Sequence, residues 1–360
     1  MKRKGKWIWI GLGAMAILLR WGLGNAPQFI ENYFSRGLFV FIRKILDAIR
    51  FIPIPLVYLL ILFLAFALGR GIYKLFKRDH PLKRRFADAL LSLGASIGAI
   101  IFFFLFLWGF NYARVPIEQQ QGLDVQPLSK EELLTALEEE RDCIIKLRAE
   151  IGSDSVALQQ AQLPENLEEK VQNNLRRVLK ELGYPYKFNP KVQQLRPKGV
   201  LLRFQTLGVY FPWTGECNLD GGLHPLEVPH VIAHELAHGY GIGDEGTCNY
   251  LAYLACTTSD DPILQYAGHF EYYSTLAVNY RRYDREAYLQ QLRALPPAIK
   301  ADWNDIIRTH DQYPDIFPKL RRATYDTYLK VQGIEEGIKN YNRVLMLVEA
   351  MKRKRSMEKG

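Results

Sequence analysis

The stretch HELAHGYGIGDEGTCN, residues 234–249, holds the residue types of a hydrolytic metal site. His234 and His238 are four apart, so on a helix they lie one turn apart on one face. Both imidazoles then reach a single Zn²⁺ at about 2.0–2.1 Å. Glu235, beside the first histidine, is placed to act as general base on water at that ion. His230 continues the stripe, but the outer two histidines are about 12 Å apart along a helix and cannot share an ion. The glutamate selects 234/238. His230 is then expected near the helix start or behind a ligand, and His224 carries the same modest expectation.

Two residues compete for the third ligand position. Gly241 followed by Asp244 gives HExxHxxGxxD, which resembles the metzincin consensus with aspartate in place of the last histidine. Glu245 followed by Asn249 gives ExxxN at the start of a second helix, which resembles the glutamate helix of the gluzincins. Glu245 is preferred, because no convincing Met-turn follows; Met346 lies on an apparent helix about a hundred residues on. Asp244 is then the N-cap of the second helix. Asn249 shares a face with Glu245 and is placed to orient a ligand histidine.

The elements that must position these groups are legible around them. Pro229, the apolar run VIAHELA, and Gly239, Gly241 and Gly243 predict a helix with an abrupt end. Residues 199–220 are β-rich and predict a strand pair or ribbon directly before that helix. Its end, with Gly215 and Glu216, is expected either to line a cleft where extended substrate adds to an edge strand or to cover the core, with Glu216 facing the cleft or pairing with a basic residue. Tyr341 or Arg343 is the candidate oxyanion stabiliser. Ser129 and Glu132 form a capping box ahead of an amphipathic helix. Further helices are expected at 164–182 and throughout 262–352. The expected fold is a mainly α (α+β) domain over 114–360, with a small β-ribbon before the active-site helix.

Residues 1–113 have a different composition. The chain has 360 residues, 48% hydrophobic, with a formal charge of +9. Its apolar residues concentrate in uncharged runs at 51–69 and 89–113, each long enough to cross about 30 Å of hydrocarbon. A shorter run begins at Trp7 and extends to about residue 24, interrupted by Arg20. It reads as a third span, with a signal peptide cut near Ala26 as the alternative. The linking segment 70–88 is rich in Lys and Arg, as is the MKRKGK start, which predicts that both are cytoplasmic. An α-helical membrane anchor would then carry 114–360 on the extracytoplasmic side of a membrane. The basic balance is thus a matter of topology and gives no sign of a nucleic-acid partner; the lipid bilayer is the expected one. All four cysteines fall in the exported part, where disulfides are permitted, but no spacing demands one.

Taken with WGFNYAR (108–114), TGECN (214–218), NYLAYLAC (249–256), YDTYLKVQG (325–333) and YNRV (341–344), nearly the whole chain resembles a bacterial membrane family, domain-of-unknown-function family 3810. The resemblance implies a zincin-like metallopeptidase site with no stated substrate. A membrane-anchored zinc peptidase acting on extracytoplasmic or membrane-proximal polypeptides is the expectation. A non-catalytic zinc-binding protein, or a metal-dependent amidase acting on a cell-envelope component, is the alternative.

Overall fold

Helices that carry large apolar side chains on every face must bury them somewhere, and in this protein two such helices are left bare. The computed structural model describes residues 3–76, 81–152 and 155–358. These divide into two compact units: residues 1–114 with 211–216, and residues 115–210 with 217–360. In the first unit, α1 is Arg3–Gly22, α2 is Pro27–Asp47, α3 is Leu56–Phe76 and α4 is Leu82–Leu107. Helices α3 and α4 are long and apolar enough to cross a membrane. Side chains such as Phe63 and Phe66 stand exposed on α3, as lipid-facing residues do. Helices α1 and α2, bent by 117° at a short break, pass the same test only as a pair.

The helical ends differ from the sequence expectation. The second span starts at Leu56, because residues 51–55 with Pro53 and Pro55 stay outside it. The third ends at Leu107, and Gly109–Ala113 form a 3₁₀ turn. Most of the segment expected as a loop at 70–88 is helical; Lys77, Arg78, Asp79 and His80 lie outside the described residues. Helix α2, which includes a π-helical stretch over Ile30–Leu38, was not anticipated.

Helices α1 and α4 pack in parallel through small residues. A Cβ on Gly13 would lie 2.6 Å from Gly98 Cα, and one on Gly98 would lie 2.4 Å from the Trp9 carbonyl oxygen. Backbones this close give van der Waals contact where water supplies no driving force. At the N-terminal end of both helices, Arg3 bonds Asp88 and Lys6 bonds Ser92. The WGFNYAR stretch holds α2 to the end of α4. Asn111 accepts from Ser35, and Arg114 donates two hydrogen bonds to Glu31, at 2.8 and 2.7 Å.

The second unit is mostly helical. Helix α5 (Lys130–Ile151) opens on the capping box of Ser129 and Glu132. It is followed by α6 (Leu167–Glu181) and by strands β1 (Lys191–Leu195), β2 (Gly208–Phe211) and β3 (Glu216–Asp220). Strand order is β1-β3-β2, so the expected ribbon gains a third strand from KVQQL, whose polar run gave little β signal. Then come α7 (Val228–Gly239), α8 (Glu245–Thr257), α9 (Pro262–Tyr280), α10 (Arg285–Ala294), α11 (Pro297–Asp311), α12 (Pro318–Val331) and α13 (Arg343–Met357).

Three of these helices meet at a buried ion pair. Asp302 on α11 takes hydrogen bonds from Arg148 Nε, the Tyr266 hydroxyl and the Leu158 amide, each at 2.7 Å. Arg148 also donates to the carbonyls of Gly152 and Val156, so the network is well satisfied. Asp302→Ala leaves the guanidinium buried without its partner. It is expected to destabilise the protein by about 3–5 kcal/mol, read as a lowered denaturation midpoint in detergent.

Candidate metal centre

Helix α7 begins on Pro229 and packs in the core along its whole length, with every residue from Val228 to Gly239 buried. It ends where Gly241 takes a left-handed conformation (φ 86°), which reverses the chain within a few residues. Helix α8 starts at once. Asp244 caps it, accepting from the Thr247 amide at 2.7 Å and the Thr247 hydroxyl at 2.6 Å. The short link brings the first turn of α8 against the last turns of α7.

Three ligand-type atoms converge there. His234 Nε2 lies 3.2 Å from His238 Nε2, and Glu245 Oε2 lies 3.2 Å from the first and 3.3 Å from the second. Atoms bound tetrahedrally to zinc at about 2.0–2.1 Å are separated by about 3.3 Å. The triangle therefore has the dimensions of one face of such a tetrahedron. Glu245 Oε2 is buried with no hydrogen-bond donor, so a cation is the partner that the geometry suits.

The far side of each imidazole fixes its tautomer. His234 Nδ1 is 2.7 Å from Asn249 Oδ1, and His238 Nδ1 is 2.8 Å from the Ile242 carbonyl oxygen. Both partners accept, so each Nδ1 carries a proton and each Nε2 points inward. The Asn249 amide nitrogen donates to the Tyr341 carbonyl at 3.3 Å, which sets the orientation of its oxygen.

Cys248 also lies close, but behind the site. Its sulfur is 3.4 Å from His238 Nδ1, the ring edge turned away from the convergence point, and burial pushes its thiol up to about 12. Asp244, the other candidate third ligand, has its Oδ1 committed to the helix cap and to Arg343 Nη1 at 2.8 Å. His230 is buried and held neutral, lowered to about 3 by burial and by His234. His224 Nδ1 accepts the Leu226 amide near the start of α7.

The two glutamates are driven in opposite directions. Burial would raise the Glu245 carboxyl, but His238 and His234 outweigh it and hold the group well below the usual carboxylate range. Burial raises Glu235, against the pull of the same two histidines. Glu235 sits under β2, where it accepts from the Tyr210 amide, and a Cβ on Gly208 would lie 2.7 Å from its Cγ. Its Oε2 has no hydrogen-bond partner. One glutamate is thus set up to stay ionised and the other to exchange a proton.

The remaining sequence candidates divide. Tyr341 stacks on the His234 ring at 6.2 Å, and its hydroxyl is 2.9 Å from that of Tyr325. Tyr325, which sequence reasoning left unassigned, donates to Glu245 Oε1 at 3.0 Å. Only its place in the tyrosine-rich YDTYLKVQG stretch pointed to it. Arg343 pairs with Asp244 and Glu118, which anchors the start of α8. Gly215 and Glu216 belong to the first unit. The Gly215 carbonyl accepts from Arg43 at 2.8 Å, and the Glu216 carboxylate caps α3 through the Leu56 amide at 2.7 Å. None of the four cysteines forms a disulfide.

Asn249→Ala removes the acceptor behind His234. Zinc affinity is expected to fall about 10–100-fold, measured by chelator competition. Asp244→Ala should cost about 1 kcal/mol of stability through the lost cap and leave the affinity for added Zn²⁺ unchanged.

No curated protein and no solved structure matches the chain. The model of one family, described as "Protein of unknown function (DUF3810)", matches residues 34–348, which takes in α7 and α8, the tyrosines behind them and the WGFNYAR turn. The chain belongs to that family.

Proposed function

We propose that the second unit is a zincin-like metallopeptidase domain that hydrolyses peptide bonds in extracytoplasmic or membrane-proximal polypeptides. The observation that carries this reading is the mutual 3.2–3.3 Å spacing of His234 Nε2, His238 Nε2 and Glu245 Oε2, with both Nδ1 protons held from behind. His234, His238 and Glu245 would hold Zn²⁺. When bound, the ion supplies Lewis acidity, which acidifies water and polarises an acyl carbonyl.

The protein's own groups do the rest. Glu235 Oε2, buried and free of donors, takes the proton of the attacking water and delivers it to the leaving amine nitrogen. The Tyr210 amide holds the other side of that carboxylate, so the strand above the site orients the base. Strand β2 is an edge strand, suited to align an extended chain beside Glu235. Tyr325 and Tyr341 keep Glu245 in its binding rotamer and exclude water from behind it.

The proposed location is a bacterial inner membrane, with the second unit on the extracytoplasmic side. Arg3 and Lys6 meet Asp88 and Ser92 at one shared end of parallel helices, so the basic N-terminus and the Lys83–Arg85 run share a side. Such a concentration of positive charge favours the cytoplasm.

Glu235→Gln is expected to keep its zinc and lose about 10²–10⁴-fold in peptide hydrolysis, assayed on full-length protein in detergent with a labelled peptide library. His234→Ala and Glu245→Ala should each remove one equivalent of zinc by elemental analysis. Retention of that equivalent in both variants would sink the assignment.

A further inference from the structure

A second convergence of metal-binding side chains lies between α5 and α9. Glu140 and Cys143 are three apart on α5, and so on one face of it, opposite His269 on α9. One ligand atom from each lies within 4.8 Å of the others. His269 Nδ1 is 2.6 Å from Glu140 Oε2, a hydrogen-bond distance. Replacing that proton with an ion requires the pair to open to about 3.3 Å, a small side-chain rotation.

The surroundings hold the trio in place. The Tyr253 hydroxyl, at 3.4 Å, and Lys352 Nζ, at 3.5 Å, both approach Glu140 Oε1, so the other oxygen faces His269. Lys352 is shared with Glu139 and Glu349, which offset its charge. The Tyr253 ring meets His269 edge-on at 5.7 Å and fixes the imidazole plane. Glu140 is buried, while Cys143 and His269 are half-buried, so an ion has a route in and a position left for solvent. A thiolate, an imidazole and a carboxylate are a ligand set for zinc, and soft enough to reject calcium or magnesium.

We propose that Glu140, Cys143 and His269 form a second zinc site, which ties α5 to α9 independently of the His234–His238–Glu245 centre. Binding would release the thiol proton and the proton between His269 and Glu140. The site stands whether or not the first centre is catalytic.

The two centres differ in sulfur, which gives the test. Full-length protein in detergent is loaded with Zn²⁺ for stoichiometry and with Co²⁺ for absorption. Two zinc equivalents are expected in the wild type, one in His234→Ala, one in Cys143→Ser, and none in the double variant. Cobalt-loaded His234→Ala should keep a near-ultraviolet thiolate-to-cobalt charge-transfer band, and Cys143→Ser or His269→Gln should lose it. Cys248→Ser should keep it, since that sulfur lies behind the first centre. Circular dichroism of each variant separates site loss from unfolding. If folded Cys143→Ser and His269→Gln retain the zinc content and the cobalt spectrum of the wild type, the proposal is overturned. A wild type holding one zinc that His234→Ala removes overturns it too. One zinc that resists His234→Ala but is lost with Cys143→Ser would support it while removing the first centre.

Discussion

A carboxylate oxygen and two imidazole nitrogens held within 3.3 Å of one another, away from water, form an arrangement that α8, the tyrosines of α12 and the following turn, and the start of α13 restrain. Three lone-pair-bearing atoms repel at that distance unless a cation or shared protons lie among them. Each is therefore restrained from outside. Asn249 and the Ile242 carbonyl take the imidazole protons, Tyr325 takes the other carboxylate oxygen, and Arg343 fixes the capped start of α8. Even Gly246 follows from this, because a Cβ there would sit 2.6 Å from Arg343 Cβ. Its amide instead bonds Asn340 Oδ1 at 2.9 Å.

The motifs that accompany HELAH thus separate by job. NYLAYLAC and the C-terminal YDTYLKVQG and YNRV stretches dress the metal-type cluster. WGFNYAR serves the first unit, where Arg114 grips Glu31 and Asn111 meets Ser35, while TGECN divides: Glu216 caps α3, and Cys217 donates to the Glu235 carbonyl on α7. Glu216 is buried at the start of β3. Its carboxylate satisfies one of the amides that any helix N-terminus leaves open.

What was legible in the sequence was what local chemistry dictates. Charge-free apolar runs marked α3 and α4, though not their ends, because charged residues such as Arg70 and Lys83 continue the helices past the apolar runs. Serine and glutamate three apart marked the start of α5, and glycine and aspartate marked the break between α7 and α8. The ExxxN spacing placed Glu245 and Asn249 on one face. Partners supplied from far along the chain were not legible: β1 joining β3, the π-helical α2 that pairs with WGFNYAR, and Tyr325 reaching back eighty residues to Glu245. None of these leaves a periodic trace, because each depends on tertiary contact alone.

The three ligand-type residues all fall within the twelve-residue stretch 234–245, whereas Tyr325, Asn340 and Tyr341 come eighty or more residues later. At about 5–20 residues per second, synthesis separates the two groups by roughly 4–16 s. The growing chain therefore displays a bare pair of histidines and a glutamate, joined by a loop cheap to close, well before it has made the residues that cover them. The trio of ligand-type residues and the side chains that enclose it are thus made at successive stages of synthesis, and the trio comes first.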